Sequence, residues 1–336
     1  MVRPIPFLLT PVILEKVWGG RRLESIGKRL ASPTAKYGES WEVADMGATS
    51  ASGAGGAAVR SVIADGPLRG RTLHDAVAEW GEALLGSPPH RPIGPDTEFP
   101  LLVKFLDASE NLSVQVHPSP AYASSHPGAF LKTECWYIVD ARPGARIYKG
   151  IRPGVTREEF ARLARAGDPA LVDALVAMPA VPGECHNLPS GTVHALGAGV
   201  LVAEVQTPSD TTYRLYDWGR KGREMHVEQA LECASFPREP GYEKQAAGLT
   251  VGRLAPGQRS GRLVTTEFFV VDELLPELGD VIPLGAGGPR LDAECVVLVM
   301  LAGEGQIMTT DASHTVLPLI LRTGDVAVIP AAVEPS

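Results

Sequence analysis

Four side chains of this 336-residue chain have the types and spacing to hold a metal ion: Gln115, His117, Glu134 and His194. In Leu112-Ser-Val-Gln-Val-His-Pro118 apolar and polar residues alternate strictly, which is the period of a β-strand, so Ser113, Gln115 and His117 share one face. A second strand is expected at Lys132-Thr-Glu-Cys-Trp-Tyr-Ile-Val139, and the same parity sets Lys132 beside Glu134. Gly183-Glu-Cys-His-Asn-Leu-Pro-Ser-Gly-Thr-Val-His194 supplies a turn at Gly191 shortly before His194. Two imidazoles, one carboxylate and one neutral amide leave a divalent cation with net positive charge, so it remains a Lewis acid. Nitrogen and oxygen donors without sulfur suit zinc and also accept iron, manganese or cobalt.

The elements around these residues read mostly as β. With 36 glycines and 29 prolines the composition favours many short strands and turns. Strands are expected at Tyr37 to Val43, with Glu39, Trp41 and Val43 on one face, at Leu101 to Leu106, Val200 to Gln206 and Thr211 to Tyr216. Thr72 to Leu85 reads as a helix, opened by Thr72 and Asp75, with its Leu73, Val77, Trp80 and Leu84 stripe in the core. Thr156 with Glu159 opens another, and Asp168-Pro169 a third carrying Leu171, Val172, Leu175 and Val176. This helical insertion, about 153–180, reads as a lid or insert beside a β-domain. His226 to Ala234 is expected to be a short helix. The Gly/Ala/Ser-rich Gly47 to Ala58 reads as a loop with nothing in it to fix a ligand, and Ser87 to Pro100 as a Pro-rich connection.

Beyond Pro237 to Gly241, a proline-rich boundary, the chain is again β-rich: Leu263 to Leu275, Cys295 to Ala302, Gln306 to Thr309, Val316 to Leu321 and Val326 to Ile329. The spacing from Gly183 to Pro189 recurs from Gly324 to Pro330, but Ala331, Ala332, Val333 and Glu334 follow the second copy instead of a histidine. Two copies of one architecture are implied, of which the first keeps its ligands. The expected division is a catalytic unit over 1–238 and a degenerate β-unit over 239–336.

The formal charge of -8 is thinly spread, without a long basic run, so nucleic acid and anionic membranes are poor partners. The apolar run from Pro6 to Leu14 is broken by Pro11 and is short for a bilayer span. Cys135, Cys185, Cys233 and Cys295 lie far apart without a CxxC pair, as reduced, buried thiols of a cytoplasmic protein do. His74, His90, His126, His226 and His314 read as ordinary histidines, and Trp41 and Trp136 as core aromatics.

The series Gly183, Pro189, Gly191, His194, with Gln115-x-His117 before it, resembles the two motifs of the cupin superfamily, with Gln115 where the first histidine usually stands. Lys132-Thr-Glu-Cys-Trp-Tyr137, Trp18-Gly-Gly20, Gly38-Glu-Ser-Trp-Glu42, Phe99-Pro-Leu-Leu-Val-Lys-Phe-Leu-Asp107 and Glu204 to Trp218 resemble type I mannose-6-phosphate isomerases, particularly the shorter bacterial form. The likeness runs over nearly the whole chain. It implies a cupin jelly-roll barrel with a degenerate second one, and an isomerase that uses one zinc ion per subunit to interconvert mannose 6-phosphate and fructose 6-phosphate through an enediolate. By motif position Gln115, His117, Glu134 and His194 become the metal ligands and Arg214 an active-site residue.

Isomerisation also needs a base for a carbon-bound proton, and inward parity offers Lys132 and Glu204. Lys132 needs a lowered pKa to serve, whereas Glu204 is an anion already. For the phosphate, Arg220 and Lys221 are the first choice, with Ser113 and Lys104 in reserve. The competing readings are structural: Arg214 paired with Asp210 or Asp217, and Lys132 snorkelling to the rim. Two rival functions use the same ligands, a non-haem iron dioxygenase and a non-catalytic sugar-binding cupin. A monomer or weak homo-oligomer acting on a small sugar phosphate is expected.

Overall fold

The computed structural model describes residues 3–53, 57–86, 93–94, 96–282, 294–310 and 316–333. His90, His314 and Glu334 lie outside the described residues. Two antiparallel sheets face each other in the first part of the chain. The larger has seven strands in the order Val251–Gly252, Cys185–Leu188, Glu134–Ala141, Val200–Gln206, Leu102–Ala108, Tyr37–Val43 and Val12–Gly20. The smaller has five, in the order Leu175–Pro179, Arg146–Ile151, His194–Leu196, Val114–Val116 and Tyr213–Tyr216. Alternation decides what lies between them: Trp18, Leu106, Trp136 and Val202 from the larger sheet pack with Ile147 and Leu196 from the smaller. This is the mainly β architecture that the cupin likeness implied.

The helical insertion is not a lid. The helix Arg157–Ala166 and the 3-10 turn Pro169–Ala174 bury Phe160, Leu163 and Leu171 against Val114, Val116 and Leu215, on the back of the five-stranded sheet. That face points away from Gln115, so the helices brace the ligand-bearing strands from behind. Thr156 caps Arg157–Ala166 as expected, accepting from the Glu159 N–H. The element after Asp168-Pro169 differs from expectation: it is a single 3-10 stretch, and Leu175 and Val176 belong to the next strand.

Other boundaries also shift for local reasons. The capping box of Thr72 and Asp75 is present, but Gly81, at φ 50, splits the expected helix into Leu73–Trp80 and Glu82–Leu85. Leu263 to Leu275 is a hairpin, Ser260–Thr265 with Val270–Leu274, because the Thr266 hydroxyl accepts from the Phe268 and Phe269 N–H groups and turns the chain.

After residue 238 the chain does not stand apart. Val251–Gly252 extends the seven-stranded sheet, and Leu263, Val264 and Phe269 cover Cys135 and Cys185 on its outer face. The late strand Val326–Ile329 pairs with Val296–Val299 on one side and with the first strand, Phe7–Thr10, on the other, in the register Phe7↔Val328. The repeated spacing has a local counterpart. Gly183 and Gly324 both adopt positive φ (85 and 89), and each precedes a four-residue strand, Cys185–Leu188 or Val326–Ile329.

Candidate metal centre and cavity

Strand register sets the site. On the five-stranded sheet Lys149, His194, Gln115 and Arg214 follow one another as cross-strand partners. On the seven-stranded sheet a second row runs Trp41, Lys104, Glu204, Trp136 and His186. Because the sheets face each other, a row of imidazole, amide and guanidinium looks across at a row of ammonium and carboxylate.

His117, Glu134 and His194 meet in the interior, all buried, with one potential ligand atom of each within 4.8 Å of the others. His117 Nε2 is 3.4 Å from Glu134 Oε2, and His194 Nε2 is 3.2 Å from Oε1. Each imidazole spends its other nitrogen on a backbone carbonyl, His117 Nδ1 on Thr211 O and His194 Nδ1 on Thr192 O, both at 2.8 Å. A carbonyl only accepts, so Nδ1 carries the proton and the Nε2 lone pairs point at Glu134. His117 Nε2 and both Glu134 oxygens are buried without a hydrogen bond, although the Lys132 ammonium is 3.0 Å from Oε2. Buried acceptors facing one another without donors are what a cation would satisfy. The residues therefore fit a divalent ion.

Electrostatics agree. Burial pushes the His117 imidazole down to about 3 and lowers His194 too, so both rings are neutral near pH 7. Burial works against the Glu134 charge, but the Lys132 ammonium beside it holds its carboxyl well below the usual range. Gln115 lies next to the cluster, its Nε2 3.3 Å from His194 Nε2, with Ser113 Oγ donating to its Oε1 at 3.1 Å. For the amide to serve as a ligand its ends must exchange by rotation, since oxygen is the donor atom for a cation.

Gln115, Ser113, Lys132, Glu204 and Arg214 all line one cavity above this cluster. Glu204 takes the Trp136 indole N–H at 2.9 Å and has Lys104 Nζ 3.6 Å from its other oxygen. Burial, then the charge of Glu134, raises its pKa against Lys132 and Lys104. Lys132 moves upward: burial opposes its charge, but Glu134 and Glu204 outweigh that and hold the proton on. The protein's own charges thus supply no lowering of Lys132. Its burial also rules out snorkelling, since only 4% of the residue is exposed.

Arg214 is not held by Asp217, which binds Arg220 at 2.7 Å and Arg223 at 2.9 Å; the Arg214 Nη1 donates instead to Ser52 O at 3.0 Å. Of the cations expected to receive phosphate, Arg220 turns to Asp217 and Lys221 is exposed, and neither lines the cavity. Arg223 lines it, as do Lys104, Lys16 and Glu39. Against burial, Lys16 and Lys104 hold the Glu39 carboxyl down at about 2. Sequence reading placed Glu39 and Trp41 on one face without connecting them to the site; Trp41 lends its indole N–H to Glu39 at 2.6 Å and its ring to Lys104 Nζ at 4.5 Å. Trp41 and Trp136 are core aromatics as expected, and they also orient the cavity carboxylates. Arg223 gave no periodic signal, because it comes from a turn.

Residues 7–140 match the family described as phosphomannose isomerase type I, catalytic domain. The mannose-6-phosphate isomerase of Streptococcus mutans is 33% identical over 335 residues, covering 98% of this chain and 93% of that one. The chain belongs to the type I phosphomannose isomerase family. Among other members of the phosphomannose isomerases, the probable mannose-6-phosphate isomerase GmuF of Bacillus subtilis is 41% identical over 239 residues, 69% of each chain. The crystal structure of a Bacillus subtilis mannose 6-phosphate isomerase superposes with a TM-score of 0.76 at 29% identity, covering 99% of this chain and 96% of that one. Within this phosphomannose isomerase fold, no helix among the described residues is long and apolar enough to cross a membrane.

Proposed function

We propose that this protein interconverts mannose 6-phosphate and fructose 6-phosphate as a zinc-dependent aldose–ketose isomerase. The observation that carries the reading is the buried His117–Glu134–His194 cluster, whose His117 Nε2 and Glu134 oxygens make no hydrogen bond, directly beneath a cavity lined by Gln115, Lys132, Glu204 and Arg214. Its membership in the family supplies the substrate class.

In this reading His117, Glu134 and His194, with Gln115 through its amide oxygen, hold one zinc ion. When bound, the ion supplies Lewis-acid polarisation of the sugar oxygens at C1 and C2. Glu204 is the base: it takes the proton from C2 of the open-chain aldose and returns it at C1, while the hydroxyl proton on O2 passes to O1, giving the ketose. Its raised pKa, set by burial and Glu134, favours proton return. Lys132, kept protonated by Glu134 and Glu204, donates to the sugar oxygens as charge develops on them. Arg214 holds the same oxygens from the opposite sheet. Arg223, which also lines the cavity, is the phosphate partner in place of Arg220 and Lys221. Every described residue lining the cavity precedes residue 224, which supports placing the catalytic residues within 1–238.

The test is a coupled assay on mannose 6-phosphate with metal-analysed protein, with and without chelator. Turnover that disappears with chelation and returns with zinc is expected. No turnover by zinc-replete protein, or iron content with oxygen uptake, would overturn the assignment.

A further inference from the structure

Composition gives the Gly47 to Ala58 stretch no role, yet its turn at Ser50 to Gly53 reaches the cavity. The turn is closed by Gly53 N–H donating to Ser50 O at 3.1 Å. From it, Ser52 O accepts the Arg214 guanidinium at 3.0 Å, and Ser52 Oγ accepts the Thr212 N–H at 3.3 Å. The Ser50 N–H donates to Asp210 Oδ1 at 2.7 Å. Three contacts from four consecutive residues thus fall on the single segment from Asp210 to Arg214.

Gly53 sets how close the two segments come. A methyl group at that position would overlap both the Asp210 carboxylate and the Asp210 backbone carbonyl. Backbone oxygens cannot swing aside as a flexible side chain can, so the turn or the Asp210 segment has to move. Meanwhile Arg214 Nε is buried without a hydrogen bond, which among the described residues leaves the Ser52 carbonyl as the group that fixes which way the guanidinium faces. Burial and the neighbouring Arg223 both work against the Arg214 charge, so the carbonyl dipole also helps to keep it there.

We propose that Gly53 is a positioning residue for the isomerisation, acting through Arg214: only glycine lets the Ser52 carbonyl come close enough to aim the guanidinium at the substrate. The inference rests on the isomerase reading for its kinetic consequence but not for its structural one. A misplacement of about 1 Å at such a group costs up to the order of 100-fold in rate.

The test compares wild type, Gly53→Ala, Arg214→Lys and the double variant in zinc-loaded protein. It records kcat, KM, bound zinc and the rate at which phenylglyoxal labels Arg214, read by peptide mass mapping. Gly53→Ala is expected to lower kcat on the order of 10- to 100-fold, with KM changed less and zinc still stoichiometric. In the Arg214→Lys background the same change should cost less than about twofold, the non-additivity of residues that act as one unit. Arg214 should label several-fold faster in Gly53→Ala. Should that variant fold poorly, Ser50→Pro, which removes the N–H given to Asp210, is expected to give the same labelling and kinetic pattern. Losses that multiply in the double variant, or unchanged Arg214 labelling, overturn the proposal. A wild-type protein without turnover would refute the isomerase reading instead, and the labelling result would still decide the role of Gly53.

Discussion

Lys104 and Glu204 stand directly opposite each other on adjacent antiparallel strands, with Nζ 3.6 Å from Oε1 and both side chains buried. The ammonium is one of the groups that restrain the rise in the Glu204 pKa caused first by burial and then by Glu134. Removing it as Lys104→Met should let that pKa rise further. The acid limb of the kcat/KM profile, which falls as the base is protonated, should therefore move to higher pH. A pH–rate series on the two proteins checks the direction.

Glu204→Gln keeps the shape and the Trp136 contact while deleting the basic oxygen. Turnover should fall by about 10²- to 10⁴-fold, the usual worth of a positioned base, with zinc content unchanged. Full activity in that variant would move the role to another residue.

His194→Ala should release the metal, since it removes one of three convergent donors and leaves the Glu134 carboxylate without it. Metal analysis after dialysis reads this directly. In the wild type, saturation at about 100 times the dissociation constant should add about 2.7 kcal/mol of stability, visible as a higher unfolding temperature; the variant should show no such response.

Arg223→Met should raise KM for the sugar phosphate and weaken inhibition by inorganic phosphate in parallel, whereas Lys221→Ala, an exposed change outside the cavity lining, should leave both near wild type. A lower kcat at constant KM in Arg223→Met would instead assign it to the chemistry.

His186 gives a pH signature in stability. Burial, and then the charge of Lys149, push its imidazole down to about 4 from 6.5. Between these values the unfolded chain binds more protons than the folded one, so stability rises with pH there. The contribution is fully present above 6.5 and is lost as pH falls toward 4. In metal-free protein His186→Gln should flatten this part of the curve of unfolding midpoint against pH; an unchanged slope would show that other groups set it.

Much of the site was legible in the sequence because strand parity is a strict rule. The strands Tyr37–Val43, Val200–Gln206 and Val326–Ile329 begin and end where alternation and flanking turn residues put them. The convergence of His117, Glu134 and His194 followed from the same parity together with the family likeness. What stayed hidden does not travel through side-chain pattern. The Ser50 to Gly53 turn contributes carbonyl and amide groups, which every residue carries. Arg223 reaches the cavity from a segment without period, and the 3-10 turn Pro169–Ala174 shares the apolar spacing of a longer helix. The helices Arg157–Ala166 and Val227–Cys233 were recognised near their observed positions, but no periodicity says which face of which sheet a helix will cover.

The pairing of Phe7 with Val328 closes a circuit between the opening strand and one of the last. During synthesis the opening strand leaves the ribosome long before this partner exists, so the Phe7–Leu8 edge must wait, while Val62–Ile63 pairs only with Leu9 and Thr10 on the strand's other side. Shortening the tail past Val326 would strand that edge and invite pairing between chains, a hazard of assembly rather than of chemistry.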